Sequence, residues 1–205
     1  MSLVHNIVGP PTAARVMLLV HGYGADERDL GGLLSYLDPE GRFLTVLPRG
    51  PVAAPPGFAW FDPGGADDAT FASSLDALDD LLDEVCAANA KDRADAIVGG
   101  FSQGGGLAVA LGLRRSTRPH PLGVLAMSPV TPDGLDYDWD AAASVPVLVH
   151  HGTEDPLVPV ARGRALARAL MDHGVPVVYQ EYPMGHAFAA WMLSSATAWP
   201  IGYSW

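Results

Sequence analysis

The sequence predicts an α/β fold: a mostly parallel central sheet with helices on both faces and no large lid. Three observations carry this. Short apolar runs alternate with helical patterns almost throughout the 205 residues. Most of these runs are continuous rather than alternating, as in strands covered on both faces. The loop-like stretches are too short for a second unit, so residues 1–205 read as one domain.

The elements follow in order. Leu3–Val8 is a candidate edge strand, and Val16–Val20 the first central one. Leu30, Leu33, Leu34 and Leu37 form an amphipathic stripe, with Asp26 as its expected N-cap. Strand Phe43–Leu47 comes next. Arg49 to Gly65 then reads as a Pro- and Gly-rich loop carrying Phe58, Trp60 and Phe61. Phe71, Leu75, Leu78, Leu82 and Val85 make a second stripe, with Cys86 as a small core residue. Further strands are expected at Ala94–Val98, Gly123–Met127, Val145–His150 and Pro176–Glu181, with a loop from Ser128 to Ser144. A last helix starts near Pro159, a good first-turn residue, and stops at Gly174, a good residue just past a helix end.

Composition excludes several classes. The chain is 49% hydrophobic and 17% charged, against a usual charged share of about 25%, so it is core-rich. Its net charge is -11, from 23 acids against 12 Lys and Arg. Nucleic acid is therefore not an expected partner, because phosphate contacts need a basic face. The acids between Arg49 and Lys91 read as a solvated helix face. With one cysteine there is no internal disulfide. No basic-then-apolar leader is visible and no run reaches about 18 apolar residues. A cytoplasmic protein without stable membrane insertion is the expectation.

The sharpest motif is GGFSQGGG, Gly99 to Gly106. An apolar run precedes it and the small-residue stretch Leu107–Leu113 follows. That is strand, turn, helix with Ser102 at the apex, the context a G-x-S-x-G nucleophile elbow requires. In a parallel sheet, ligands bind at the carboxyl ends of the strands. Three other strand ends carry His21-Gly22-Tyr23-Gly24, then His151 to Pro156, then Met184-Gly185-His186. Ser102, Asp155 and His186 thus share one edge, in the order nucleophile, acid, base. A serine hydroxyl needs an adjacent base. His186 is the candidate base and Asp155 the group that orients it. The backbone N–H groups of Gln103 and Tyr23 are the candidate oxyanion donors. His150 and His173 read as structural, His151 is a rival base near the same edge that precedes the acid in sequence, and His21 reads as a brace for its turn. No metal site is expected, since the histidines lack HExxH-type spacing.

These residues bear a resemblance. HGYGAD (His21–Asp26), GFSQGG (Gly100–Gly105), HGTEDPLVP (His151–Pro159), Gly185-His186 and the triplet Trp60-Phe61-Asp62 resemble the phospholipase/carboxylesterase family of α/β-hydrolases, which includes acyl-protein thioesterases. The resemblance implies an α/β-hydrolase fold and a cofactor-free serine carboxylesterase acting on a small-molecule ester through an acyl-enzyme on Ser102. Two alternatives stay open: an acyl-protein thioesterase or lysophospholipase, and a catalytically silent binding fold. Phe58, Trp60, Phe61, Leu157 and Val158 are candidates to wall an acyl groove or to join the core. Short- to medium-chain acyl esters are the expected substrates. The segment after Glu181 carries no charge at neutral pH, unlike the charged terminal helix of such chains. It reads either as a buried helix with an aromatic tail, or as a homodimer contact through Trp191, Trp199, Tyr203 and Trp205.

Overall fold

A computed structural model describes residues 3–62, 68–131 and 137–188. The chain enters through β1 (His5–Val8), β2 (Arg15–Val20) and β3 (Phe43–Pro48). A small hairpin, β4 (Val52–Ala54) and β5 (Gly57–Ala59), follows. The sheet is completed by β6 (Ile97–Phe101), β7 (Gly123–Met127), β8 (Val147–Gly152) and β9 (Val177–Tyr182). Its order is β1-β3-β2-β6-β7-β8-β9. All neighbours pair parallel except β1, which runs antiparallel to β3 along the edge.

Alternate strand residues feed two cores, as the pleat demands. Val16, Leu18, Val20, Val124, Ala126, Val147 and Val149 face the larger core. That core also holds α2 (Asp68–Ala88), α3 (Gln103–Leu113) and residues of α5 (Val160–Asp172). Leu19, Leu125, Met127 and Leu148 face the other side. There they meet Leu30 and Leu33 of a 3-10 turn, Asp29–Leu33, and Leu37 of the one-turn helix α1 (Leu34–Leu37). All eleven residues of α3 are buried, and after Gln103 this helix carries small and aliphatic side chains around its whole circumference. Cys86 is buried in the larger core, and burial pushes its thiol up to about 11.

Several elements depart from the sequence reading. The strand expected at Ala94–Val98 runs from Ile97 to Phe101. The Asp92 side chain accepts from Ala94 N–H and closes a 3-10 turn at Arg93–Asp95 before pairing begins. Asp26 does not cap the following helix. Its carboxylate accepts from Arg28 N–H at 2.8 Å, a local turn that uses the side chain one step too early. Pro159 stands at the N-cap of α5 rather than in its first turn, while Gly174, at φ +74°, ends it as expected. The loop from Arg49 contains the β4–β5 hairpin, and the loop from Ser128 contains α4 (Trp139–Ala142).

The acidic face of α2 is not simply solvated. Asp79 is buried and pairs with Arg93. Asp83 lies 2.6 Å from Arg93, and Arg118 reaches Asp79, Asp80 and Asp83 at 3.0, 2.6 and 3.1 Å. These arginines come from later in the chain, so local charge counting missed the network. Trp191, Trp199, Tyr203 and Trp205 lie outside the described residues.

Candidate active site

The elbow is built from backbone constraints. Ser102 sits between β6 and α3 at φ 55° and ψ -116°, a conformation that costs an L-residue on the order of 1–3 kcal/mol. The cost is tolerated because the residue is tied on both sides. Its N–H donates to Met127 O at 2.9 Å, and its carbonyl accepts from Val130 N–H at 3.0 Å and Gly106 N–H at 3.1 Å. The flanking glycines are steric requirements. A Cβ on Gly104 would fall on the Val20 carbonyl, and one on Gly100 would fall on the Gly104 carbonyl. Helix α3 and strand β2 touch there without room for a methyl group.

The acid and base follow β8 and β9, the second and third strands beyond β6. Asp155 follows β8, and its Oδ1 accepts from Leu157 N–H at 2.9 Å and Val158 N–H at 2.8 Å. Its Oδ2 lies 2.6 Å from His186 Nδ1. Burial pushes the Asp155 carboxyl up, but the Val158 amide, His186 and the Leu157 amide outweigh it, so the group sits below its ordinary value. With Nδ1 donating to that carboxylate, Nε2 of His186 is the nitrogen left to accept a proton. The imidazole also leans on Phe101, with ring centroids 4.7 Å apart, and Phe101 meets Phe188 edge-on at 5.0 Å. Phe101, the variable residue before the serine, was not singled out by sequence. Its place at the end of β6, beside the elbow, is the signal that could have found it.

A groove of about 690 Å³ joins these parts. Ser102, His186, Tyr23, Gln103, Phe101, Leu157 and Val158 all line it. Leu157 is 72% exposed at its rim, and Val158 is buried. The other three expected wall residues lie elsewhere. Trp60 is 0% exposed and belongs to the larger core, as does Phe61, which packs edge-on against Phe71 at 5.3 Å. Phe58 lies in the hairpin with the Arg49 guanidinium 4.6 Å over its ring. Aromatic composition could not distinguish wall from core here.

What these residues do instead is brace the turn at Tyr23. Trp60 Nε1–H donates to His21 O at 2.9 Å. The Gln103 side chain accepts from Trp60 N–H at 3.0 Å and donates to Phe61 O at 2.9 Å. Phe58 contributes its backbone, accepting from Gly24 N–H and donating to Ala25 O, each at 2.8 Å. His21 is buried, and burial lowers its pKa. Its Nε2 accepts from Gly50 N–H at 3.0 Å, which leaves Nδ1 to donate to Gly22 O at 2.7 Å. Next to Gly50, Arg49 grips the buried Glu27 carboxylate through two bonds of 2.6 Å. That contact holds Glu27 down at about 2.

Three further histidines are structural in their contacts. His151 Nε2 donates to Val158 O at 2.8 Å and so steadies the acid loop. His150 is buried, held at about 4 by burial, and meets Tyr182 edge-on. His173 stacks on Trp139 at 3.9 Å.

A parallel sheet with a serine elbow, and a carboxylate–histidine pair at the adjoining strand ends, defines a serine hydrolase of the carboxylesterase class. The chain belongs to the phospholipase/carboxylesterase family, whose sequence pattern matches residues 6–199. It is 28% identical to the hydrolase MhqD of Bacillus subtilis over 197 residues, covering 92% of this chain and 93% of that one. It is 36% identical to acyl-protein thioesterase 1 of Gibberella zeae over 97 residues, a stretch covering 44% of this chain and 40% of that protein. The crystal structure of esterase PE8 superposes with a TM-score of 0.82 at 28% identity, covering 97% of each chain. The carboxylesterase of Bacillus cereus shares the fold with a TM-score of 0.82 at 23% identity, over 96% of this chain and 92% of that one.

Proposed function

We propose that the protein is a carboxylesterase that hydrolyses short- to medium-chain esters through an acyl-enzyme on Ser102. The observation that carries this reading is the 2.6 Å contact between His186 Nδ1 and Asp155 Oδ2, beside a groove that Ser102 also lines. His186 Nε2 takes the Ser102 proton as Oγ attacks the ester carbonyl. Asp155 fixes the tautomer and stabilises the imidazolium. The Tyr23 and Gln103 amides receive the oxyanion, and Gln103 N–H is among the first helix amides, which lack an intrahelical acceptor. The imidazolium then protonates the leaving alcohol. A water, deprotonated by the same Nε2, releases the acid and restores Ser102.

The thioesterase reading keeps the same chemistry and has one observation in its favour, the similarity to the Gibberella zeae acyl-protein thioesterase 1. Hydrolysis of p-nitrophenyl esters from acetate to palmitate, by wild type and Ser102→Ala, tests both. The account expects activity that peaks at short to medium chains and falls by about 10⁴-fold or more in the variant. A rate rising steadily to palmitate favours the thioesterase. Activity retained in Ser102→Ala overturns both.

A further inference from the structure

The groove is electrically one-sided. Among the described residues that line it, Asp29 is the one carboxylate, and neither lysine nor arginine is present. Asp29 opens the 3-10 turn that follows the Tyr23 turn, so it belongs to the same wall as a proposed oxyanion donor. Its side chain has no hydrogen-bond or ion-pair partner among the described residues, and the Nε of the adjacent Arg28 lies 3.9 Å from the Glu27 carboxylate instead. Partial burial is the main influence on the Asp29 carboxyl and pushes it up; His21 opposes this and the Asp26 charge adds to it. Three aromatic side chains, Tyr23, Phe101 and Phe188, line the groove with it, and Tyr23 is 54% exposed. Ring faces beside a carboxylate attract organic ammonium groups. An anionic ester would instead bring like charges together in a partly desolvated cleft.

We propose that Asp29 is a specificity-determining residue, and that the groove prefers esters bearing an ammonium group, on the acyl or the alcohol limb, over neutral or anionic ones. This rests on the esterase reading of the same site. Acyl transfer onto amino alcohols, or esterification of amino acids, is the class of reaction that would supply such substrates.

Two matched pairs of esters test it at low ionic strength and slightly alkaline pH. Choline butyrate against 3,3-dimethylbutyl butyrate places the charge on the alcohol. A p-nitrophenyl trimethylammonio-butyrate against its uncharged tert-butyl isostere places it on the acyl chain. The readout is the cationic-to-neutral ratio of kcat/KM, in which any general loss of activity cancels. On at least one limb the ratio should exceed one and fall about fivefold in Asp29→Asn, a size typical of exposed charge contacts. It should persist in Asp29→Glu, stay unchanged in Asp172→Asn on the remote end of α5, and shrink with added salt. A ratio equal in wild type and Asp29→Asn on both limbs overturns the proposal, as does an equal fall in Asp172→Asn. Calorimetric binding of butyltrimethylammonium separates this from the parent reading. Asp29-dependent binding without turnover would sink the esterase and keep the cation site. Turnover without charge discrimination would do the reverse.

Discussion

Gln103 and Tyr23 line one groove, yet their backbones are fixed by different means. Gln103 is held by backbone packing and backbone hydrogen bonds. It opens a fully buried helix, its neighbour Ser102 is bonded to Met127, Val130 and Gly106, and flanking glycines allow the helix to press on β2. Tyr23 is held largely through side-chain hydrogen bonds. Its turn depends on Trp60, Phe58, Gly50 and the Gln103 side chain, partners 29 to 43 residues away in the bonds that link them. The difference teaches where each half of an oxyanion site can fail: the first through sterics, the second through loss of a hydrogen bond far along the chain.

The largest break should come at the elbow. Gly104→Ala drives a methyl into the Val20 carbonyl. It should cost about 3 kcal/mol in urea unfolding and abolish esterase activity, because backbone cannot yield there as a side chain would. Retained activity with a normal melt would mean that helix and strand can slide apart.

The remote brace should fail more gently. Trp60→Phe keeps most of the packing but leaves the buried His21 carbonyl without its donor, at about 1–3 kcal/mol. Gln103→Ala strands both Trp60 N–H and Phe61 O. Each should lower kcat about tenfold or more with little change in KM, since an oxyanion donor acts on the transition state. A KM effect alone would show that the brace shapes the groove and not the donor.

The smallest effect sharpens the comparison through pH. Glu27 has its carboxyl lowered to about 2 by Arg49 from an ordinary 4.5. A depressed carboxylate stabilises the folded state fully above its unfolded pKa, and that contribution is lost as pH falls through the folded one. The gap in Tm between wild type and Glu27→Gln should therefore be constant above pH about 4.5 and close between there and about 2. A gap that stays open across that window would remove the ion pair from the brace.

The same contrast explains what the sequence made legible. The elbow, the continuous strands and the Ser102, Asp155, His186 order are local patterns, each read within a few residues of a strand end. Trp60 and Phe61 stay open between groove and core in the sequence because an aromatic after a strand looks alike whether it lines a groove or bolts a turn. The deciding contact, with Gln103, spans 43 residues. Asp79 reads as part of a solvated face because its partners Arg93 and Arg118 arrive on later segments. Asp26 missed its cap by using its side chain on the nearer amide, a choice that spacing alone does not decide.

The most direct test of the central claim is to label the protein with a fluorophosphonate and map the modified residue by mass spectrometry, in wild type and His186→Ala. Stoichiometric labelling of Ser102, slowed about 10²-fold or more in His186→Ala, is the predicted result. Labelling at another residue, or an equal rate in the two proteins, would contradict it.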